Sequence, residues 1–129
     1  MRFNPPTVHV PSGYSHITTS SGPLVHFAGQ CPLDIDEKVV GDDFLTQTDQ
    51  VIANCMALLA AANIEPVAVV RSIVYVVSHD SADLGAVWQR LMDSPLAPAF
   101  TSASTLLGVT ALGYRGQLVE VDLTAEAPN

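Results

Sequence analysis

Apolar positions recur with different periods along this chain, and each change of period marks an element. Between Asp43 and Ala62, Leu45, Thr48, Ile52, Cys55, Leu59 and Ala62 return at steps of three and four, one face of a helix. Asp42 and Asp43 suit the positive N-terminal end of that helix, and Asn63 suits a left-handed residue at its other end. After Glu65-Pro66, Ala68–Val77 is a strand dense in Val and Ile. Asp80 or Ser81 caps a second helix, which turns Leu84, Val87, Trp88 and Leu91 inward and ends at Ser94-Pro95. Gln117–Ala125 is the final strand. Its Val119, Val121, Leu123 and Ala125 point one way, and Glu120, Asp122 and Thr124 the other.

The remaining stretches are less periodic. Residues 1–13 are Pro-rich and irregular apart from a short alternation at Val8–Val10. Tyr14–Ala28 reads as a hairpin folded at Ser21-Gly22-Pro23, and Gly29 after it suggests a bulge or a close backbone approach. Asp34–Asp42 is an acidic loop, and Gly113–Gly116 a turn. Ala97–Leu107 carries four hydroxyls, Thr101, Ser102, Ser104 and Thr105, and no charge. Pro98 at the head of this β-prone run reads as a strand start, and the stretch is expected to line a site.

Hairpin, helix, strand, helix, hairpin predicts an α+β fold, a mixed sheet with both helices on one face, in one domain over residues 1–129. Ile73–Val77 is apolar at both parities, so both faces of its strand require cover. Two helices cover one face. A second copy of the chain is the economical cover for the other, so a homo-oligomer is expected, with Glu120 and Asp122 facing the junction.

Composition narrows the partners. The 129 residues are 48% hydrophobic and carry a formal charge of −8 with only 5 Lys and Arg, which argues against a nucleic acid or an anionic membrane surface. No apolar run approaches the ~20 residues of a membrane span, and the N-terminus lacks a signal-peptide core, so a cytoplasmic protein is expected. Cys31 and Cys55 fit that compartment as free thiols. His9, His16, His26 and His79 show no metal-ligand spacing, and no phosphate-cradling loop or serine-hydrolase motif is present. Glu120 and Asp122, about 7 Å apart at i and i+2, are a candidate acid–base pair or simply a solvated face.

Taken together, Tyr14-Ser15, Leu24-Val-His-Phe-Ala-Gly29-Gln30-Cys-Pro32, Gln47-Thr-Asp-Gln50 with Asn54, Val74-Tyr75-Val76, Pro98-Ala99 and Val119-Glu120-Val-Asp122 resemble the Rid/YjgF/UK114 family. The likeness runs from about Gly13 to Ala125. It implies a chorismate-mutase-like fold and a homotrimer with a small-molecule cleft between subunits. For the family's best-known branch it also implies hydrolysis of enamines and imines such as 2-aminoacrylate, without a cofactor. Glu120, Tyr14 and Gly29 match the residues that direct water and line the pocket in that branch. The arginine that grips the substrate carboxylate does not match: Phe100 stands in its place, followed by Thr101 and Ser102, and Trp88 stands where an asparagine is common. Phe cannot replace a charge-assisted bidentate clamp. Arg71 and Arg115 are the nearby cations that could compensate.

The expected function is therefore hydrolysis of a small imine or enamine without a simple α-carboxylate. Glu120 is the base, Tyr14, Thr101 and Ser102 are donors, and Phe100 and Trp88 form an apolar wall. The alternative is a trimer that binds a small apolar ligand without turnover. Endoribonuclease activity, a label attached to some family members, is disfavoured by the charge.

Overall fold

The computed structural model describes residues 1–129. Its strands are β1 (Arg2–Phe3), β2 (Ile17–Thr18), β3 (Leu24–His26), β4 (Val69–Val77), β5 (Ala103–Val109) and β6 (Val119–Glu126), and its helices are α1 (Phe44–Ala61) and α2 (Ser81–Met92). Single 3-10 turns occupy Pro66–Ala68 and Ala97–Thr101.

Both helices begin and end where side-chain chemistry dictates. The Asp43 carboxylate accepts the Thr46 backbone N–H at 2.8 Å, and Asp80 accepts that of Ala82 at 2.9 Å. Past α1, Asn63 takes φ +58°, the left-handed conformation that suits Asn. The buried stripe of α1 is Gln47, Thr48, Val51, Ile52, Cys55 and Leu59, whereas Leu45 is exposed. Gln47 replaces it inside because its amide serves three backbone groups. It donates to the carbonyls of Gly41 and Gly116 and accepts the Leu118 N–H.

The main sheet has strand order β3-β6-β4-β5. β6 runs antiparallel to β3 and β4, while β4 and β5 are parallel, the pairing that needs a helical crossover, here α2. A register shift between Val69 and Arg71 places one extra residue in β4. Val69 and Ser72 consequently both point inward, with Val74 and Val76 after them. These residues and Val119, Val121, Leu123 and Ala125 of β6 form one core with Val51, Cys55 and Leu59 of α1 and Val87 and Leu91 of α2. Gly108 of β5 passes so close to the residue that follows β4 that a Cβ would collide with the Ser78 carbonyl oxygen. The opposite sheet face carries half-buried Arg71, Ile73, Tyr75 and Val77 of β4 beside Glu120, Asp122 and Thr124 of β6. No helix of this chain lies over it.

Several expectations are corrected. The last two strands do not form a hairpin: β4 lies between β5 and β6, parallel to the first and antiparallel to the second. Tyr14–Ala28 is not a hairpin either: β2 pairs with β1, so the N-terminal segment is not wholly irregular, and β3 pairs with β6. The turn at Ser21-Gly22 is held by the chain's end, where Glu126 Oε1 accepts the Gly22 N–H at 2.9 Å and both donors of Ser21 at 3.2 Å. That contact delivers β3 to β6. Ala97–Thr101 is a 3-10 turn rather than a strand start, because Pro98 occupies its first positions, where a missing N–H costs nothing. No helix is long and apolar enough to cross a membrane.

Candidate functional site

Glu120 stands on the uncovered face of β6, because its neighbours Val119 and Val121 are fully buried on the other. Gln30 exchanges both backbone hydrogen bonds with Val121, at 2.7 and 3.0 Å, which lays Gly29 against the Glu120 side chain. The absence of a side chain there is required by space: a Cβ on Gly29 would collide with Glu120 Oε2 and lie 3.0 Å from its Cδ. The other carboxylate oxygen, Oε1, accepts the Cys31 thiol at 3.2 Å and the Gln117 amide at 3.1 Å. Burial, then the hydrogen bond and charge of Glu120, push the Cys31 thiol up to about 11, so it is a proton donor and not a nucleophile. Cys55 is a core thiol, pushed up to about 12 by burial alone. Asp122 shares the face of Glu120.

A different cleft, of about 370 Å³, opens beside β5 and is lined by Ser12, Tyr14, Trp88, Ser104 and Leu106. Ser15 fastens its N-terminal wall: its N–H donates to the Ser102 carbonyl at 3.2 Å and its hydroxyl to that of Thr101 at 2.7 Å. The Tyr14 hydroxyl is 2.9 Å from His9 Nε2, and His16 Nε2 donates to the His9 carbonyl at 2.8 Å. The fold thus gathers two histidines that sequence spacing left apart.

The hydroxyl-rich stretch places its residues differently from expectation. Phe100 is 0% exposed; it packs in the core, edge-on to Trp88 with ring centroids 5.7 Å apart. Ser102 is equally buried and donates to the Ala99 carbonyl at 2.7 Å. Neither lines a cleft, since the 3-10 turn rotates both inward. Thr101 is half-buried and gives its hydroxyl to Pro98. The hydroxyl that reaches the cleft is that of Ser104, which accepts the Ser72 hydroxyl at 2.6 Å. The Arg71 guanidinium donates to the Ser72 and Ala103 carbonyls and to Thr105 Oγ1, where it braces β5. Arg115 is exposed in the last turn.

Glu120 with Gly29, and Tyr14 with Trp88, are therefore two separate groupings within one chain. Cys31 and Gln117 were the residues hardest to foresee as partners of Glu120. Strand alternation shows which face a carboxylate takes, but not which distant donors arrive beside it. No group of three His, Cys, Asp or Glu side chains is placed to hold a metal ion.

A model of the family described as endoribonuclease L-PSP matches residues 7–127. Among solved structures, YyfB from Yersinia pestis, described as a protein of unknown function of the conserved Rid family, is 36% identical, with a TM-score of 0.85 covering 98% of this chain and 97% of that one. Rv2704 from Mycobacterium tuberculosis, a member of the YjgF/YER057c/UK114 family, is 28% identical, with a TM-score of 0.61 covering 89% of this chain and 87% of that one. A Lactococcus lactis protein named "Putative regulator AldR" is 28% identical over 105 residues, 80% of this chain and 79% of its own.

Proposed function

The chain belongs to the endoribonuclease L-PSP family, which includes the Rid and YjgF/YER057c/UK114 proteins, and on that premise we propose that it hydrolyses small reactive imines or enamines in a cleft between subunits of a homotrimer. The observation that carries this reading is the clamped carboxylate. Glu120 Oε1 is occupied by two donors, while Oε2 lies over Gly29 with no hydrogen bond from the protein. Such an oxygen is suited to take a proton from water.

The chemistry needs no cofactor. Glu120 Oε2 removes a proton from water as the water oxygen bonds to the imine carbon and the C=N electron pair moves to nitrogen, and the protonated carboxyl then returns that proton to the nitrogen. In the resulting carbinolamine Glu120 takes the hydroxyl proton and passes it to the amine nitrogen, the C–N bond breaks as the C=O bond forms, and a carbonyl compound and ammonia leave. An enamine enters by prior tautomerisation to the imine.

The polar groups of the Tyr14 cleft are the hydroxyls of Ser12, Tyr14 and Ser104, and its walls are Trp88 and Leu106. With no arginine at the carboxylate-gripping position, this lining favours a neutral, partly apolar substrate. The uncovered face of Ile73, Tyr75 and Val77 supports the trimer, which would bring one subunit's Glu120 grouping to its neighbour's Tyr14 grouping. The deciding assay generates imines in situ, from leucine by an amino-acid oxidase and from benzylamine by an amine oxidase, and follows their trapping by semicarbazide. Faster loss of the neutral imine, abolished in Glu120→Ala, is expected. Equal loss with and without protein defeats the reading.

The alternative is ligand binding without turnover, favoured by the apolar walls of the Tyr14 cleft and by the regulator's name carried by one relative. Thermal stabilisation by indole or benzaldehyde, with no imine hydrolysed, would establish it. RNA cleavage is the weakest candidate at a charge of −8.

A further inference from the structure

We propose that Cys31 and Gln117 are positioning residues which hold Glu120 by Oε1 alone, so that Oε2 becomes the proton-accepting oxygen of the hydrolytic reaction. This deepens the reading of Glu120 as the base and rests on it.

The arrangement is asymmetric. Oε1 receives the Cys31 S–H at 3.2 Å and the Gln117 Nε2–H at 3.1 Å. Oε2 is pressed over the Gly29 backbone, in the space a Cβ would fill. A carboxylate oxygen that accepts two hydrogen bonds has its lone pairs engaged and is the poorer proton acceptor; its partner keeps them free.

The donors are themselves held. Gln117 is 3% exposed, and its amide has one orientation compatible with its neighbours: Oε1 accepts the Tyr114 N–H at 3.1 Å, and Nε2 donates to the Val119 carbonyl and to Glu120. A flipped amide would face the carboxylate with oxygen and leave the Tyr114 N–H without an acceptor. Cys31 is placed by its neighbour Gln30, whose backbone pairs with Val121, and by Asn54, which donates to the Cys31 carbonyl at 3.1 Å. A thiol pushed up to about 11 keeps its proton, and so stays a donor, at neutral pH. The rotamer of Glu120 is thereby set before any substrate arrives, which is what orientation-dependent proton transfer requires.

Two measurements test this. The first needs no substrate: the alkylation rate of Cys31 by iodoacetamide is followed against pH in the native protein and in Glu120→Gln. Cys55, at 1% exposure, is the unreactive internal reference. Removing the carboxylate's charge is expected to move the midpoint of the profile to lower pH. The rate at pH 8.5 then rises about tenfold for each pH unit by which the midpoint falls. An unchanged profile overturns the clamp.

The second compares hydrolysis of the benzylamine-derived imine. Cys31→Ala and Gln117→Leu are expected to lower kcat about tenfold each at nearly constant KM, and Cys31→Ser, which keeps a donor, to restore most of it. If Glu120→Gln abolishes turnover while Cys31→Ala and Gln117→Leu leave kcat unchanged, the positioning role is overturned and the base assignment stands. If Glu120→Gln leaves turnover unchanged, the base assignment falls and the positioning role falls with it, whatever the alkylation profile shows.

Discussion

Phe100 meets Trp88 edge-on, at 5.7 Å between ring centroids and 70° between planes, with Phe100 wholly inside the core and Trp88 half-buried at the cleft wall. Phe100 thus supports the cleft wall from behind. Phe100→Ala is expected to cost about 3–5 kcal/mol, as other large aromatic truncations do. Phe100→Arg is expected to cost at least as much, since it buries an unpaired charge, and not to create a carboxylate clamp. Urea unfolding checks both. A stable Phe100→Arg variant that gains turnover of acidic imines would contradict this placement.

Gly29 and Gly108 both exclude a side chain, and the same substitution should separate function from stability. In Gly29→Ala the new methyl meets the end of a flexible carboxylate, so Glu120 is displaced, activity falls at least tenfold, and the melting temperature barely moves. In Gly108→Ala it meets the backbone carbonyl of Ser78, which cannot turn aside, and about 1–3 kcal/mol of stability is lost. Melting curves and imine turnover, measured on both variants, distinguish the outcomes.

Gln47 is buried at 0% exposure and satisfies three backbone groups on two separate loops. Gln47→Leu keeps the volume but leaves the Leu118 N–H and two carbonyls unpaired. A loss of about 2–4 kcal/mol is expected in chemical denaturation.

The Gly22 N–H, with the N–H and hydroxyl of Ser21, holds the Glu126 carboxyl below its ordinary range, and the Thr46 N–H and hydroxyl do the same for Asp43. A depressed carboxyl contributes stability that is fully present above the unfolded value, about 4 for these side chains, and lost as pH falls through the folded value. Native protein is therefore expected to melt above Glu126→Gln and Asp43→Ala at pH 6, with each gap narrowing as pH falls below about 4. Melting temperature across that range checks the sign.

The proposed trimer depends on the face of β4 that this chain leaves uncovered. Light scattering is expected to give three times the 13.6 kDa chain mass for the native protein and a smaller species for Tyr75→Glu, whose charge would stand in the middle of that face. A native monomer would refute the assembly.

Periodicity by itself determined both helices with their caps, the strands β4 and β6, and the side of the sheet on which Glu120 lies. Those features depend on which face of a local segment is apolar, and that is written at steps of two, three or four residues. It also showed that β4 needs cover on both faces. Tertiary structure decided the rest. β3 pairs with β6 instead of β2 because Glu126, 104 residues from Gly22, holds the turn that precedes it. Phe100 and Ser102 turn inward because Pro98 starts a 3-10 turn whose direction no alternation pattern records. Glu120 is held by Cys31, 89 residues away in the chain. A hydrogen bond between groups so far apart exists only once packing has brought their backbones together, so the clamp is a property of the fold and not of any stretch of sequence.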